Sequence, residues 1–218
     1  GGNVVSLNSP TSAPTSADVA FNLPNADGSA GQFMKTDGSG NLSFDAAGGG
    51  AVKQVKKTVV TALESYTLTS GSGFTGSHDS SLTVTITPES ASNIIYVSAF
   101  AFGEGNTADH SRFSTRLKKV VSGGSTTYIP AAVGNRNPQF SKMGTSNVNA
   151  SNSADSFGIP NYPDTAGTTS AITYTLQFMF DGGLSSSATY YLNRVVSDSD
   201  STGYPNFVSW IVAMEVAP

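Results

Sequence analysis

From Val52 onward, apolar and polar side chains alternate with a period of two. Leu82, Val84 and Ile86 alternate with Thr83, Thr85 and Thr87. Phe113, Thr115 and Leu117 alternate with Arg112, Ser114, Arg116 and Lys118. Ile172, Tyr174, Leu176, Phe178 and Phe180 share one face of a third segment, and Tyr190 and Leu192 continue the pattern in a fourth. Such alternation marks strands with one dry face and one wet face. About nine or ten strands, separated by Gly, Ser, Asn and Asp turns, predict an all-β fold, a jelly-roll-like β-sandwich. No stretch carries a sustained helical period with caps.

Two segments are apolar on both faces. In residues 93–102, NIIYVSAFAF, one face carries Ile94, Tyr96, Phe100 and Phe102, and the other Ile95, Val97, Ala99 and Ala101. The last strand places Val208, Trp210, Val212, Met214 and Val216 on one face, with Phe207, Ile211 and Ala213 on the other. A strand dry on both sides needs cover on its second face. The expectation is a homotrimer whose interface uses Phe207, Ile211, Ala213 and Glu215, with the Trp210 side in the sandwich core. Glu215 would then face its symmetry mates, a setting that raises a carboxyl pKa or recruits an ion or water. The competing expectation is a covering loop of the same chain.

Residues 1–50 read differently. Asp27-Gly28-Ser29 returns as Asp37-Gly38-Ser39, each copy followed by a short apolar pair, Phe33-Met34 and then Leu42 with Phe44. Asp-Gly steps supply the positive φ of tight turns, so each copy predicts a turn feeding a small strand. Such strands cannot bury a core alone and call for identical copies from other chains. Residues 8–18, rich in Ser, Thr, Pro and Ala, predict an extended linker or a strand held by partner chains, and Gly48–Gly50 a hinge. The division expected is 1–50, a slender repeat-bearing stalk with a glycine hinge, and 51–218, a β-sandwich head. The start at Gly1 implies a fragment or processed product of a longer protein.

Charged residues are only 12%, about half the usual share near 25%, and hydroxyls and amides take their place. The net charge of -4 argues against a nucleic-acid partner, which needs clustered Lys and Arg. Lys53, Lys56 and Lys57 are the one basic cluster, read as a solvated face or an edge strand, where lysines block stray pairing. Without cysteine there is no disulfide or thiolate metal site. No apolar run approaches the ~20 residues of a membrane span, so no membrane insertion is expected.

Several motifs yield to plainer readings. Gly71-Ser72-Gly73-Phe74-Thr75-Gly76 matches GxGxxG, but a strand follows where the dinucleotide fingerprint needs a helix. His78-Asp79 and Asp109-His110-Ser111 carry the letters of a triad without its context. Asp198-Ser199-Asp200-Ser201 is half of a calcium loop, lacking the glycine and distal glutamate. Asn41-Leu42-Ser43 and Asn149-Ala150-Ser151 have the form of glycosylation sequons. Paired carboxylates for glycoside cleavage are not evident, so no enzyme activity, catalytic residue, cofactor or metal is expected. Residues 134–167 are the least regular part of the head and imply either a functional loop or a hidden strand. Aromatic rings beside amides and acids suit sugar or protein receptors. Tyr162 with Asn161 and Asp164, and Tyr204 with Asp200 and Asn206, are the receptor-binding candidates; the alternative is that the rings tack loops to the core.

The segment LPNADGSAGQFMKTDGSGNLSF is similar to a module of bacteriophage tail fibres and related virion proteins. The ending, TYYLNR followed by DSDS and an apolar strand closing in AMEV, resembles the C-terminal domains of such fibres, especially in phages of aquatic bacteria. The resemblance implies a trimeric, β-rich fibre in the extracellular virion, joined at its N-terminal end to other tail proteins and contacting the host surface. It carries over no catalytic or binding residue. The expected function is attachment to a host surface glycan or protein receptor, by multivalent contact. A purely structural fibre or decoration piece is the alternative, and a capsule or lipopolysaccharide depolymerase a more distant one.

Overall fold

A computed structural model describes residues 21–46, 51–69, 77–107, 112–134, 138–143, 154–180, 187–197, 199, 201–202 and 204–218. The chain divides into two compact units, residues 1–50 and 51–218.

In the first unit, β1 (Gln32–Thr36) and β2 (Leu42–Ala46) form an antiparallel hairpin. Its turn is built by Asp37. One carboxylate oxygen accepts from the Ser39 and Asn41 amides, the other from the Asn41 side chain, while Gly38 and Gly40 take positive φ. These donors hold the Asp37 carboxyl below its ordinary range. Asn41, one of the sequon asparagines, also accepts from the Asn22 side chain. Every residue of β1 is exposed.

The second unit is all-β, with two antiparallel sheets packed as a sandwich around one core. Its strands are β3 (Val52–Val60), β4 (Glu64–Leu68), β5 (His78–Ile86), β6 (Ile94–Gly105), β7 (Phe113–Val121), β8 (Thr126–Ile129), β9 (Ser141–Lys142), β10 (Asp155–Thr165), β11 (Ile172–Phe180), β12 (Ala188–Leu192) and β13 (Ser209–Val216). Several lie end to end. Along one edge of β6, β13 pairs residues 94–100 and β12 pairs residues 103–105; β3 and β4 flank these two in turn. The other edge of β6 carries β10. The first sheet is therefore four files wide, β3/β4, β13/β12, β6 and β10. The second runs β5, β11, β7 and then β8/β9. The lysine cluster lies on β3, an edge strand of the first sheet.

The inward faces of β5, β7 and β11 are those the alternation predicts: Leu82, Val84 and Ile86; Phe113 and Leu117; Tyr174, Leu176 and Phe178 are all buried. The inward face of β13 is not the one expected, and on β6 it is the one with the smaller residues. Ile95, Val97, Ala99, Ala101, Ile211 and Ala213 point into the core, each no more than 1% exposed. Trp210, Val212, Met214, Phe100 and Phe102 lie half-buried on the outside. The expected trimer interface of Ile211, Ala213 and Glu215 is thus corrected, because this chain's own second sheet already covers those residues. Size decides the matter. Phe113 and Phe178 of the second sheet pack ring against ring with Phe157 and Tyr190 of the first, and small inward residues on β6 and β13 leave volume for the rings at native density.

Glu215 points inward and is fully buried. It accepts from the Gln54 side chain at 2.6 Å, and from the Asn93 side chain and the Glu89 amide at 2.7 Å each. Burial pushes its pKa up, but these donors outweigh burial and hold it below the ordinary range. The raised pKa expected of a three-fold carboxylate cluster is therefore reversed. Within the chain, Glu215 ties β13 to β3 and to the connection between β5 and β6.

Residues 155–165, within the stretch that reads as irregular, form the long edge strand β10. Pro160 and Pro163 are tolerated because an edge strand needs only one ladder. A bulge between Ile159 and Tyr162, with Asn161 at φ 41°, absorbs one extra residue.

Candidate functional site

The two receptor-binding candidates part company. Tyr162 packs against the core, with its ring edge-on to Phe140 at 5.1 Å. Asp164 accepts from the buried Tyr174 hydroxyl at 2.5 Å and pairs with Lys119 at 2.7 Å. Burial first, and the Asp164 carboxylate second, push the Tyr174 pKa far up, so that hydroxyl stays a donor. Asn161 faces the opposite side, where its side chain accepts from the Ser98 hydroxyl at 2.7 Å. These three residues do not converge, and Tyr162 is a core contact rather than an exposed platform.

Tyr204 and Asn206 do converge. They line a cavity of about 330 Å³ together with Leu63, Arg194, Ser199, Ser201 and Pro205. Asp200 lies outside the described residues, as do Asp198, the Gly71–Gly76 loop and His110.

The cavity exists because two neighbouring files break at the same level. Residues 61–63 separate β3 from β4, and residues 193–208 separate β12 from β13. Asn193 holds the break together. It is fully buried at φ 63°, a conformation that Asn tolerates better than most residues. Its side-chain amide donates to the carbonyls of Val60 at 2.8 Å and Ala62 at 3.0 Å, and its oxygen accepts from the Ser209 hydroxyl at 2.6 Å. Its backbone amide donates to Phe102 O, and the Phe102 amide donates to Ser209 Oγ. The interrupted ladder opposite Phe102 is thereby replaced by one backbone and one side-chain bond.

Beyond Asn193, the Val196 amide donates to the buried Glu104 carboxylate at 2.7 Å, and Tyr204 N donates to Ser201 O. The Arg194 guanidinium stacks over the Tyr191 ring, 4.2 Å from its centroid. Neither Leu63 nor Arg194 stands out in sequence. The available signal is the lapse of alternation after Leu192, together with the shorter lapse after Val60.

The outer faces of the two sheets differ. On the second sheet, Thr83 meets Thr175 and Thr85 meets Thr173 at 2.9 Å, and Gln177 joins Arg116 to Asp79. Burial works against the Asp79 carboxylate, but Lys118 and Gln177 hold its pKa low. His78 lies at the start of β5, its ring edge-on to Tyr66. On the first sheet the outer face is aromatic: Trp210, Phe100, Phe102 and Phe207 follow one another at centroid spacings of 6.0, 5.1 and 5.6 Å. Phe207 alone of the expected interface residues lies on this side. Among the described residues no cluster of His, Asp and Glu suits a metal ion, and no helix is long and apolar enough to cross a membrane.

No family model and no curated protein matches this chain. Among solved structures, the crystal structure of the infectious bursal disease virus VP2 subviral particle aligns at 12% identity and a TM-score of 0.25, over 81% of this chain and 44% of that one. The chain spans less than half of that viral protein's length, and the likeness is too slight to assign either fold or function.

Proposed function

We propose that the chain is the head and adjoining stalk of a virion fibre, a homotrimer that attaches a phage to its host by binding a surface glycan. One observation carries the reading. The outer face of the first sheet is apolar, with Trp210, Phe100, Phe102, Met214 and Val212 side by side, while the outer face of the second is a hydroxyl and amide ladder. Contiguous apolar patches on a protein surface mark interaction sites. The hairpin has the same need: Phe33 and Met34 are 47% and 48% exposed, and an isolated hairpin is marginal in water. Copies of the same chain would cover both surfaces.

Numbered along the chain, the eight files run 1-8-3-6 in one sheet and 2-7-4-5 in the other. That order supports a jelly roll, an architecture shared by viral shells and lectins. In the extracellular virion, the N-terminal end would join other tail proteins. Three weak sites per head, repeated over several fibres, would turn weak contacts into durable adsorption without a chemical step.

Light scattering and whole-cell binding test the reading. The wild-type chain should run as a trimer at micromolar concentration and adsorb to host cells. Met214→Lys should dissociate the trimer and leave a folded monomer, whereas Ile211→Lys should unfold the head, since it buries an unpaired charge. A wild-type monomer overturns the assembly. A trimer that adsorbs to no host cell overturns attachment and leaves a structural fibre piece.

A further inference from the structure

We infer that the outer face of the first sheet is one wall of a three-walled prism, in which β3 of each copy meets β10 of the next. The inference rests on the trimer proposed above and states how its copies fit. Symmetry poses the question. A face laid on its own copy makes a two-fold pair, whereas a three-fold ring needs two different surfaces of one chain to meet. The two borders of this sheet are such surfaces. Val55 and Val59 on β3, and Asn161 and Pro163 on β10, are exposed.

Width and side-chain size answer it. The wall is four files across, and files about 4.8 Å apart make it about 19 Å wide. An equilateral prism of that width sets each wall about 5.5 Å from the axis, near half of the ~10 Å between packed sheets, so side chains can fill it. The register arranges those side chains in rows. One row runs Val59, Trp210, Phe100 and Gly158; another runs Val55, Met214, Tyr96 and Pro163. In both rows the middle files carry the large side chains and the borders the small ones. That gradient fits a space deep at its axis and closing toward its corners. Two flat faces stacked on each other leave an even gap and call for no gradient.

Between these rows, Lys57 stands at the β3 border, level with Val212 and Ser98. Asn161 stands at the β10 border on the same level, bonded to Ser98. A three-fold axis parallel to the strands therefore brings Lys57 of one copy to Asn161 of the next. Ser98 takes one lone pair of the Asn161 side-chain oxygen, and the other can accept from an ammonium.

The chain has no cysteine, so introduced thiols are the only ones. Val55→Cys with Pro163→Cys in one chain, treated with a short bismaleimide, should give a covalent trimer on a denaturing gel. Either change alone should give monomer. A dimer from Val55→Cys alone overturns the inference, because it shows a two-fold pair. A trimer by light scattering whose double variant never crosslinks also overturns it, and leaves the assembly standing; a wild-type monomer sinks both. Asn161→Asp, which tolerates the same positive φ, gives a second reading without cysteine. At low salt it should hold the trimer together to about two- to fivefold lower concentration, and Lys57→Gln should remove that gain. If the cysteine chain fails to fold, this comparison decides alone, and unchanged dissociation overturns the inference.

Discussion

Replacing Asn193 with alanine should destabilise the head more than any other single polar truncation at the strand break. Three hydrogen bonds disappear, to Val60 O, to Ala62 O and from the Ser209 hydroxyl, at 2.8, 3.0 and 2.6 Å. Asn193 and Ser209 are fully buried, so water cannot easily replace the lost partners. Each bond contributes about 0.5–1.5 kcal/mol net, and stranding a buried group adds to that. Alanine at φ 63° adds about 1 kcal/mol, because its Cβ crowds the following carbonyl. The sum is about 3–5 kcal/mol. For a domain of this size that lowers the melting temperature by roughly 2–4 °C per kcal/mol. Urea unfolding should show a lower midpoint with an unchanged slope, since the surface exposed on unfolding stays the same. Asn193→Gly escapes the φ strain and should be no worse than the alanine variant, despite the extra freedom of glycine in the unfolded chain. A loss below about 1 kcal/mol in Asn193→Ala would mean that backbone pairing, not this side chain, closes the break.

Three further outcomes follow from buried groups. Glu215 has a folded pKa below its unfolded one, so it stabilises the head at neutral pH and ceases to do so as pH falls below the ordinary carboxylate range; urea midpoints taken from about pH 7 down to pH 3 should fall, and Glu215→Gln should start lower and flatten that acid limb. The Tyr190 hydroxyl is fully buried and has no hydrogen-bond partner among the described residues, so Tyr190→Phe should leave stability unchanged or raise it by up to about 1 kcal/mol in calorimetry, because an unsatisfied polar group is removed. A Cβ on Gly105 would stand 2.0 Å from the Phe113 ring, so Gly105→Ala should lose about 1–3 kcal/mol or more, and Phe113→Leu in the same chain should recover part of that loss on thermal melting.

How far the fold was legible depends on where one face is wet. Along β5, β7 and β11, threonines and charges fill the alternate positions, and the inward residues can be read directly. Along β6 and β13 both faces are apolar, so hydrophobicity offers no choice. The choice falls to volume, which depends on what the opposite sheet brings. Once Phe113 and Phe178 of the second sheet and Tyr190 of the first fill the middle, the small side chains at 99, 101 and 213 suit the inward face, and Trp210 turns outward. That information belongs to pairs of strands far apart in sequence, and no local pattern holds it.

The candidate site shows the same limit at the scale of one residue. Phe157 and Ile159 point inward on β10, and strict alternation would send residue 161 inward next, leaving Tyr162 outside as a platform. The bulge at Asn161 shifts the count by one, and a shift of one exchanges the faces of every residue beyond it. Tyr162 turns toward Phe140, and Asp164 toward Tyr174 and Lys119. Tyr204, also beside a proline, belongs to no strand and is subject to no such count. Its place follows from the break that Asn193 closes. The two tyrosines look alike in their local sequence, and they differ because one is held by a ladder and the other by the gap between two ladders.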